Sequence, residues 1–380
     1  MSIKKLLVDA HTFDEDYHGL RTFLKGIYST INIENTGIVI YLAANNISQL
    51  KEEFKDQKKF KYLNLRSKNK YIRLAYELPR LIRKFDIDFA HFNYFLPLFL
   101  NKKCKYIVTI HDVLFIDYPH FFPLKYRIVN TFMFKRSARK ADIVTSVSNY
   151  SADRITKLFK LRDKKVYILP NAIENKYYLK TDKSISKQQI KDKYNLDNFI
   201  LYVSRIEPRK NHITLLKAYN ELRLWEKDID LVLIGKLSIK TPEMKLQIDL
   251  INKESKGSIT MLEDIPTYEL MKFYNAALIS IYPSLCEGFG IPPLESAVLH
   301  TPTICSNATA MKDFDFFGKF LIDMSTTTIL KKRIIEILNN YESENLDYRN
   351  ELEKIANSIK SKYSWEKTSD AFKQLILSNN

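Results

Sequence analysis

One stretch near residue 280 restricts the fold of this chain more than any other. An apolar run from Ala277 to Tyr282 is followed by a glycine loop and then by Pro292 and Pro293. The run is typical of a buried strand. Proline is tolerated in the first turn of a helix, because the N–H group that it lacks has no partner there. The pattern predicts a strand, a loop and a helix in succession, which is the repeating unit of a parallel α/β sheet.

The same stretch carries two carboxylates, Glu287 and Glu295, on either side of the loop residues Gly288, Phe289 and Gly290. Backbone N–H groups at the start of a helix suit a phosphate or a sugar hydroxyl, and a carboxylate can accept hydrogen bonds from two hydroxyls. A purely structural interpretation is also open, in which Glu295 complements the helix dipole and the glycines form a tight turn.

A second strand-like run, Phe199 to Val203, leads into a loop that contains Arg205 and Lys210. We expect this loop at the carboxyl end of its strand, the edge where open α/β sheets bind their ligands. A guanidinium and an ammonium that converge there would neutralise a diphosphate, whereas a basic loop that is only solvated is the commoner arrangement.

Apolar runs alternate with helix-like segments through all 380 residues, a length that suits two cores better than one. We predict an N-terminal domain over residues 1–173, a polar, lysine-rich linker over 174–197 and a second domain over 198–362. Residues 363–380 contain an amphipathic helix. The early strands are predicted at Lys5 to Val8, Gly37 to Leu42, Ile107 to Ile110 and Ile143 to Val147.

Cysteine content indicates the compartment. The three cysteines, Cys104, Cys286 and Cys305, lie in or beside apolar runs, and no spacing typical of a metal site links them. The N-terminus lacks the apolar core of a signal peptide, and no run is long enough to span a membrane. We therefore expect a cytoplasmic protein, either soluble or peripheral on the inner face of the cell membrane.

The net charge of +16 calls for a partner. Much of the excess lies in the segment Lys58–Lys84, where aromatic and leucine side chains interleave with the basic ones, as in a segment that lies on an anionic membrane. A solvated helix is the plain alternative. We disfavour nucleic acid as the partner, because no nucleic-acid-binding motif accompanies the charge.

The two loops together resemble the retaining glycosyltransferases of family 4, whose GT-B architecture has two Rossmann-like domains facing across a cleft. The family's Glu-x7-Glu motif matches Glu287 and Glu295, and its Ser/Gly-Arg-x4-Lys-Asn motif matches residues 204–211. Other similar segments follow in the family's order along almost the whole chain. They are Gly19 to Arg21, His91 to Tyr94, Thr109 to Asp112, Ala141 to Ser148, Val166 to Asn171, Leu231 to Gly235 and Tyr363 to Glu366.

The resemblance implies roles for individual residues. The catalytic set would be Arg205 and Lys210 on the leaving phosphate, Glu287 near the donor sugar, and His111, which is otherwise structural, on a donor hydroxyl or the acceptor. The remaining assignments are donor contacts by Glu295 (on the ribose), Gly288, Phe289, Gly290, Leu294, Ser204 and Gly235, and an acceptor-side cleft with Gly19, Arg21 and Asp112. The last helix would cross back to the first domain.

Two Asp-x-Asp pairs, Asp86 with Asp88 and Asp228 with Asp230, have a spacing that can hold a divalent ion beside a diphosphate. Each pair precedes its strand and so lies at the edge of the sheet opposite the site, which favours turn residues. The resemblance likewise implies no metal and no cofactor.

These inferences predict a retaining, metal-independent hexosyltransferase that uses a GDP- or UDP-linked sugar and builds a surface polysaccharide, such as a lipopolysaccharide, or a lipid-linked glycan. The segment from His111 to Phe115 is similar to mannosyltransferases and favours GDP-mannose over UDP-hexose or UDP-N-acetylhexosamine. A catalytically silent glycan-binding subunit is the alternative from another class. Two departures from the family pattern bear on the donor-sugar contacts: His300 replaces a small residue, and residues 307–311 lack the usual Leu-Pro-Glu.

Overall fold

The computed structural model describes residues 3–14, 19–57, 59–179, 182–239, 241–342 and 346–379. The chain forms two units, which we call unit 1 (residues 1–172 and 363–380) and unit 2 (residues 173–362). The strands are β1 Lys4–Asp9, β2 Ile38–Ala44, β3 Lys61–Asn64, β4 Phe89–Asn93, β5 Lys105–Thr109, β6 Ile143–Ser146, β7 Val166–Ile168, β8 Phe199–Val203, β9 Asp230–Ile234, β10 Ile259–Leu262, β11 Ile279–Tyr282, β12 Thr303–Ser306 and β13 Leu321–Ile322.

The helices of unit 1 are α1 Gly19–Thr30, α2 Ile47–Glu53, α3 Lys70–Ile72, α4 Leu78–Lys84, α5 Leu114–Asp117, α6 Leu124–Lys140, α7 Asn149–Phe159 and the C-terminal α15 Trp365–Ser378. Those of unit 2 are α8 Lys183–Tyr194, α9 His212–Glu221, α10 Pro242–Ser255, α11 Thr267–Ala276, α12 Ile291–Val298, α13 Thr327–Glu342 and α14 Leu346–Lys362. Unit 1 contains the shortest α-helices of the described residues, α3 and α5, with three and four residues.

Unit 1 is built on a parallel sheet of the order β3-β2-β1-β4-β5-β6-β7. Its inner strand β1 is covered on both faces, since Leu6, Leu7 and Val8 have no exposed surface. A strand buried on both faces reads as a continuous apolar run, which is why the sequence indicated it.

Unit 2 repeats the same topology in a parallel sheet of the order β10-β9-β8-β11-β12-β13. In both sheets the strand order reverses beside the first strand of the unit, between β1 and β4 in unit 1 and between β8 and β11 in unit 2. The crevice outside the carboxyl ends of the strands at such a reversal is where doubly wound sheets bind ligands. The predicted α/β class with two Rossmann-like parallel-sheet domains is confirmed.

The C-terminal helix α15 packs on α1 inside unit 1. Gly26 of α1 lies under the ring of Trp365, and a Cβ atom at Gly26 would fall 2.2 Å from the ring. Thr30 Oγ1 donates to the Trp365 carbonyl at 3.1 Å, and Thr368 Oγ1 donates to the Pro170 carbonyl at 2.9 Å. The end of the chain is therefore part of the first unit's core.

The segment that we predicted as a linker, residues 174–197, contains the helix α8, which packs against α11 of unit 2. Only Ser186 and Ile190 of this helix are buried. With so little apolar surface in the interface, the segment shows no clear helical periodicity in the sequence, and its lysines suggested a linker instead.

The pair Asp86 and Asp88 lies at the turn before β4, and Asp228 lies at the turn before β9, whose first residue is Asp230. Asp86 and Asp228 have left-handed backbones, with φ of 49° and 53°. Aspartate tolerates this conformation better than most residues, so the positions fit the turn interpretation. Among the described residues, no helix is both long and apolar enough to cross a bilayer.

Candidate active site in unit 2

The functional side chains of unit 2 come from two loops at the point where its strand order reverses. The loop after β8 carries Lys210, and the loop after β11 carries Glu287. Because β8 and β11 are parallel neighbours, both loops leave the sheet at the same edge. Lys210 and Glu287 are 7% and 8% exposed, and the two residues are paired.

The Glu287 carboxylate is held by donors from four side chains. Its Oε1 accepts from Lys210 Nζ at 2.5 Å, Tyr282 Oη at 2.9 Å and Ser284 Oγ at 2.6 Å. Its Oε2 accepts from Arg209 Nη1 at 3.1 Å. We call these five residues, Arg209, Lys210, Tyr282, Ser284 and Glu287, the Glu287 cluster. A buried charge with this many donors is fixed in position before any ligand arrives.

The backbone of the first loop explains how two consecutive cations reach one carboxylate. Residues Pro208–Lys210 form a single 3₁₀ turn, and Asn211 ends it in a left-handed conformation with φ of 57°. The Asn211 side chain then donates to the Pro283 carbonyl at 3.1 Å, which ties the first loop to the second. Asparagine is one of the few residues that adopt this conformation readily.

The electrostatics of the cluster follow from these contacts. Burial alone would raise the pKa of Glu287, but Lys210, Arg209 and the Ser284 hydroxyl outweigh it and lower that pKa to about 2. The pKa of Lys210 is lowered from its ordinary value by desolvation, against the opposing effect of Glu287. Arg209 also pairs with Glu207 at 2.6 Å, so the four charges of this neighbourhood balance.

The pKa of Glu295, on α12, is shifted in the opposite direction to that of Glu287. Burial raises its pKa to about 7, although the Tyr274 hydroxyl, which donates to Oε2 at 3.1 Å, favours the ionised form. The two carboxylates of the Glu-x7-Glu pattern therefore differ by about five units of pKa, from about 2 to about 7. Carboxylates held in such different environments can perform different tasks at one pH.

The glycine loop between the two carboxylates is packed against residues 308–314. Gly290 has φ of 107°, and a Cβ atom there would meet Met311 Cγ at 3.1 Å. Thr309 donates to the Glu287 carbonyl at 2.9 Å and accepts from the Glu287 N–H at 2.8 Å. Phe289 is buried, with its ring 5.6 Å from that of Phe314.

Thr309 and His300 account for the two departures from the family pattern. Thr309 has φ of 51°, an unusual conformation for a β-branched residue, and its hydroxyl holds the backbone of Glu287. His300 has φ of 59° just beyond α12, a position that favours glycine and that histidine tolerates. At both departures the residue thus adopts a left-handed backbone conformation.

Two predicted donor contacts have structural explanations. Gly235 has φ of 150°, and a Cβ atom there would lie 1.9 Å from the Ser204 carbonyl oxygen, so the glycine lets the first loop lie against β9. Ser204 is half-buried, and its N–H donates to the Ile234 carbonyl at 2.9 Å. Leu294 has no exposed surface, so its side chain belongs to the core of unit 2, and the predicted donor contact at this position would involve its backbone.

Arg205 lies on the same loop as Lys210 but has an exposed side chain. In the part of the chain that the structure describes, neither an ion pair nor a hydrogen bond joins this side chain to the Glu287 cluster. The structure therefore brings together Lys210 and Glu287. It leaves the Arg205 side chain exposed to solvent on the same loop as Lys210.

Sequence reasoning missed Arg209, Tyr282, Ser284 and Thr309. Tyr282 ends an apolar strand and was taken as core, and Arg209 stands next to the more obvious Lys210. The available signal was position, because a polar group at or just after the carboxyl end of a parallel strand lies at the ligand edge.

The predicted residues of unit 1 lie at the carboxyl edge of its sheet or on its helices. His111 is buried, its Nε2 is 3.0 Å from Asn93 Oδ1, and its ring packs against Phe23 at 4.8 Å. Asp112 is half-buried and accepts from the Leu114 N–H at 3.1 Å, as a turn residue does.

Arg21 and Gly19 belong to α1. Arg21 is 8% exposed and forms a salt bridge with Glu53, which also pairs with Lys25 at 2.9 Å. This salt bridge holds α1 to α2, and the cleft contact of Arg21 stays a prediction. Gly19 begins α1 and has open space around the position of a Cβ atom.

The basic segment Lys58–Lys84 is not one continuous amphipathic helix. It contains β3, the short helix α3, a π-helical turn over Arg73–Glu77 and α4, while Lys58 lies outside the described residues. Leu74 and Leu78 are core residues, whereas Tyr71 and Tyr76 are exposed.

The site of unit 2 offers an ammonium, a guanidinium at the rim, an ionised carboxylate and a second carboxylate that titrates near neutrality. This set suits a ligand with a diphosphate and sugar hydroxyls. Over the described ranges, histidine, cysteine and carboxylate side chains do not form a group able to hold a metal ion.

Two protein families match the sequence. Residues 37–176 match the family described as Glycosyltransferase Family 4, and residues 183–358 match the family described as Glycosyl transferases group 1. The chain is 28% identical over 213 residues to the O-antigen chain mannosyltransferase RfbU of Salmonella typhimurium, covering 56% of this chain and 54% of that protein. It is 27% identical over 254 residues to the O-antigen chain mannosyltransferase B of Escherichia coli, covering 65% of this chain and 64% of that protein. These matches thus span about half to two thirds of the relatives' own lengths.

The fold matches solved glycosyltransferases over its full length. A glycosyltransferase from Rickettsia africae ESF-5 superimposes with a TM-score of 0.72 at 16% identity, covering 100% of this chain and 99% of that one. At this identity the likeness establishes the fold alone. The two family matches and this fold together support a glycosyltransferase family 4-like chain with the GT-B fold.

Proposed function

We propose that this protein is a retaining glycosyltransferase that moves a hexose from a nucleotide sugar to a glycan or lipid-linked glycan in the synthesis of a cell-surface polysaccharide. The observation that carries the proposal is the buried Lys210–Glu287 pair at the strand reversal of unit 2. Among the described residues, Lys210 Nζ donates to Glu287 and, at 3.2 Å, to the Tyr282 hydroxyl. One N–H of the ammonium therefore remains for a ligand.

The chemistry follows from the charge that develops. When the bond between the anomeric carbon and the leaving diphosphate breaks, negative charge grows on the phosphate, and the acceptor hydroxyl oxygen bonds to the carbon while its proton passes to the diphosphate. Lys210 is fixed in advance by Glu287, so it meets that charge without reorganisation. Arg205, exposed and unpaired among the described residues, adds a second cation as the diphosphate arrives. These two cations support a transfer that needs no metal.

Mannose is the sugar that we propose, with GDP-mannose as the donor. The support is the similarity to two O-antigen chain mannosyltransferases, together with the sequence from His111 to Phe115. A UDP-linked hexose or N-acetylhexosamine is the alternative donor. A catalytically silent glycan-binding subunit is disfavoured by the Glu287 cluster, because burying an ion pair costs desolvation free energy that binding a neutral glycan does not require.

The exposed face of α6 supports a peripheral location on an anionic membrane, at the cytoplasmic side where nucleotide sugars are available. The helix contains six basic residues and no acidic residue. Its exposed apolar side chains include Leu124, Ile128 and Phe132, the last 69% exposed. Arg136 Nη2 donates to the Leu98 carbonyl at 2.7 Å, which joins this face to exposed Phe99. Apolar and basic groups on one helix match a bilayer interface.

Donor binding can be tested by thermal shift with EDTA present, using GDP, UDP, GDP-mannose and UDP-glucose. At about 100 times its dissociation constant, the true donor should stabilise the protein by about 2.7 kcal/mol. Lys210→Met should abolish the shift, whereas Lys191→Met, which changes an exposed lysine of the same unit, should preserve it. Stabilisation by no nucleotide, or an equal shift in Lys210→Met, would contradict the proposal.

Membrane binding is tested separately by sedimentation with vesicles of phosphatidylglycerol and phosphatidylcholine. The variant Ile128→Ser with Phe132→Ser should lose most binding to the anionic vesicles and retain its nucleotide shift. Undiminished sedimentation of the variant would place the membrane contact elsewhere.

A further inference from the structure

A cavity lies at the strand reversal of unit 1. Its volume is about 110 Å³, and its polar lining comes from the last residues of β1 and β4, from His11, and from α3 and the turn that follows it. The lining residues on which the argument rests are Asp9, His11, Lys70, Arg73, Asn93 and Phe95. The place corresponds in topology to the Glu287 cluster of unit 2, because the strand order of both sheets reverses there.

Two buried donors of this cavity have no acceptor. Arg73 and Asn93 are each 6% exposed, and neither Arg73 Nε nor Asn93 Nδ2 has a hydrogen-bond partner among the described residues. Arg73 Nε lies 3.4 Å from Asp9 Oδ2, within ion-pair range but without hydrogen-bond geometry. A buried donor without a partner costs free energy, so such groups are rare unless a ligand completes them.

Among the described lining residues, the two cations Lys70 and Arg73 outnumber the carboxylate of Asp9. Asp9 is the carboxylate in the lining, and its Oδ1 is already 3.0 Å from His11 Nδ1. Lys70 lies over the ring of Phe95, with Nζ 3.3 Å from the ring centroid. Desolvation, followed by repulsion from Arg73, lowers the pKa of Lys70 to about 8. Lys70 and Arg73 repel each other beside a single carboxylate, Asp9. An anionic ligand would offset this repulsion.

The backbone places Arg73 at the cavity by an unusual local structure. Arg73 begins a π-helical turn that ends at Glu77, and the Leu74 carbonyl in this turn accepts from the Leu98 N–H at 3.2 Å. π-helical turns are rare and occur frequently at functional sites. This turn belongs to the basic segment Lys58–Lys84. It directs Arg73 of that segment into the interior of unit 1.

We infer that this cavity is an oxyanion-binding subsite, in which Arg73 and Asn93 donate to a phosphate or carboxylate group and Lys70 neutralises its charge. If the proposed function holds, the group belongs to the acceptor, which is then a phosphorylated or acidic glycan. That identification rests on the proposed function, whereas binding of the oxyanion does not.

The test uses the full-length protein in a buffer free of phosphate, titrated with inorganic phosphate, glucuronate and, as the neutral control, mannose. At least one of the two oxyanions should raise the melting temperature, and mannose should not. Stabilisation by phosphate alone identifies a phosphorylated group, and stabilisation by glucuronate identifies an acidic sugar. Absence of a shift with both oxyanions would overturn the inference.

Variants locate the binding. Arg73→Met should weaken oxyanion binding at least tenfold, and Arg80→Met, an exposed arginine of the same segment, should not change it. Lys210→Met, which disables the site of unit 2, should leave this binding intact. If oxyanion binding were lost in Lys210→Met but not in Arg73→Met, the ion would be bound in unit 2. That result would overturn the inference and leave the proposed function standing.

A second variant separates a ligand contact from a structural role. Arg73 lies in ion-pair range of buried Asp9, so Arg73→Met should melt below the wild type without ligand, and its binding is measured by calorimetry at a temperature where it is folded. Asp9→Asn removes the same ion pair but keeps the Arg73 donors, so it should still bind the oxyanion; a loss of binding as large as in Arg73→Met would assign Arg73 to the structural pair with Asp9 and overturn the inference. Arg73→Lys keeps the charge but loses the fork of donors, so it should fold and bind with intermediate affinity.

Discussion

Replacing Glu287 by glutamine tests whether the Glu287 cluster is a preformed electrostatic unit. The substitution keeps the shape but removes the charge that Lys210 and Arg209 face at 2.5 and 3.1 Å. Breaking a buried pair from one side typically costs about 3–5 kcal/mol, because the partner stays buried without compensation. We expect a loss near the lower bound of about 3 kcal/mol, since Tyr282 and Ser284 can still bond to the amide oxygen.

The assay is urea unfolding followed by the fluorescence of Trp225, which belongs to unit 2. The chain has two tryptophans, so both the reference and the variants carry Trp365→Phe to silence unit 1. Lys210→Met alone should also destabilise unit 2. The double variant should be more stable than the sum of the two losses predicts, with a coupling of about 2 kcal/mol or more.

The exposed pair Lys191–Asp197, with 2.6 Å between its charged atoms, is the matched control and should couple by less than about 1 kcal/mol. Additive losses at Lys210 and Glu287, within about 0.5 kcal/mol, would refute the reasoning. They would show that the two charges are solvated independently.

Three further predictions concern other parts of the chain. The hydroxyls of a bound ribose favour the ionised form of Glu295, so nucleotide binding at pH 6.5 should release protons, measurable by calorimetry in buffers of different ionisation enthalpy, and affinity should rise with pH up to about 7. Gly235→Ala, which drives a Cβ atom into the Ser204 carbonyl, should displace the loop of Lys210 and weaken nucleotide binding more than tenfold by the same calorimetry. Gly26→Ala, which collides with the Trp365 ring, should detach α15 and speed its removal in limited proteolysis.

Each of these predictions has a matched control. Glu295→Gln should bind without proton release, and release that persists would assign the proton elsewhere. Gly257→Ala, where a Cβ atom meets nothing within 4 Å, should leave nucleotide affinity unchanged. Gly19→Ala, also in open space, should leave α15 as protected as in the wild type. Equal effects in a glycine variant and its control would contradict the steric argument.

The pKa of Glu295 also determines the direction in which this residue changes the free energy of unfolding with pH. Its folded pKa of about 7 lies above its ordinary value of 4.5, so the folded state holds this proton more tightly than the unfolded state does. The resulting contribution is fully present below pH 4.5 and is lost as the pH rises to about 7. Glu287 acts in the opposite sense, since its pKa of about 2 gives a contribution that is lost as the pH falls below 4.5.

Much of the fold could be predicted because both sheets are parallel and buried on two faces. The strand predicted at Phe199–Val203 has the same bounds in the structure, and the helix predicted within residues 363–380 spans Trp365–Ser378. The helix α8 was missed because its interface buries only Ser186 and Ile190. A weakly apolar helix leaves little periodicity to detect.

The site could be predicted only where a motif and a strand end coincide. Lys210 and Glu287 lie in the loops that follow β8 and β11, and the structure pairs them. The role of Arg209 depends on a left-handed turn at Asn211, and the burial of Arg21 depends on Glu53 from another helix. Neither partnership is encoded in local spacing, so both appear only once the chain is folded.

A crystal structure of the protein with a nucleoside diphosphate, grown in the presence of EDTA, tests the central claim most directly. The account predicts diphosphate oxygens within hydrogen-bond distance of Lys210 Nζ and the Arg205 guanidinium, with the ribose on Glu295. A nucleotide bound away from the β8–β11 strand reversal, or a diphosphate that contacts neither cation, would contradict the account.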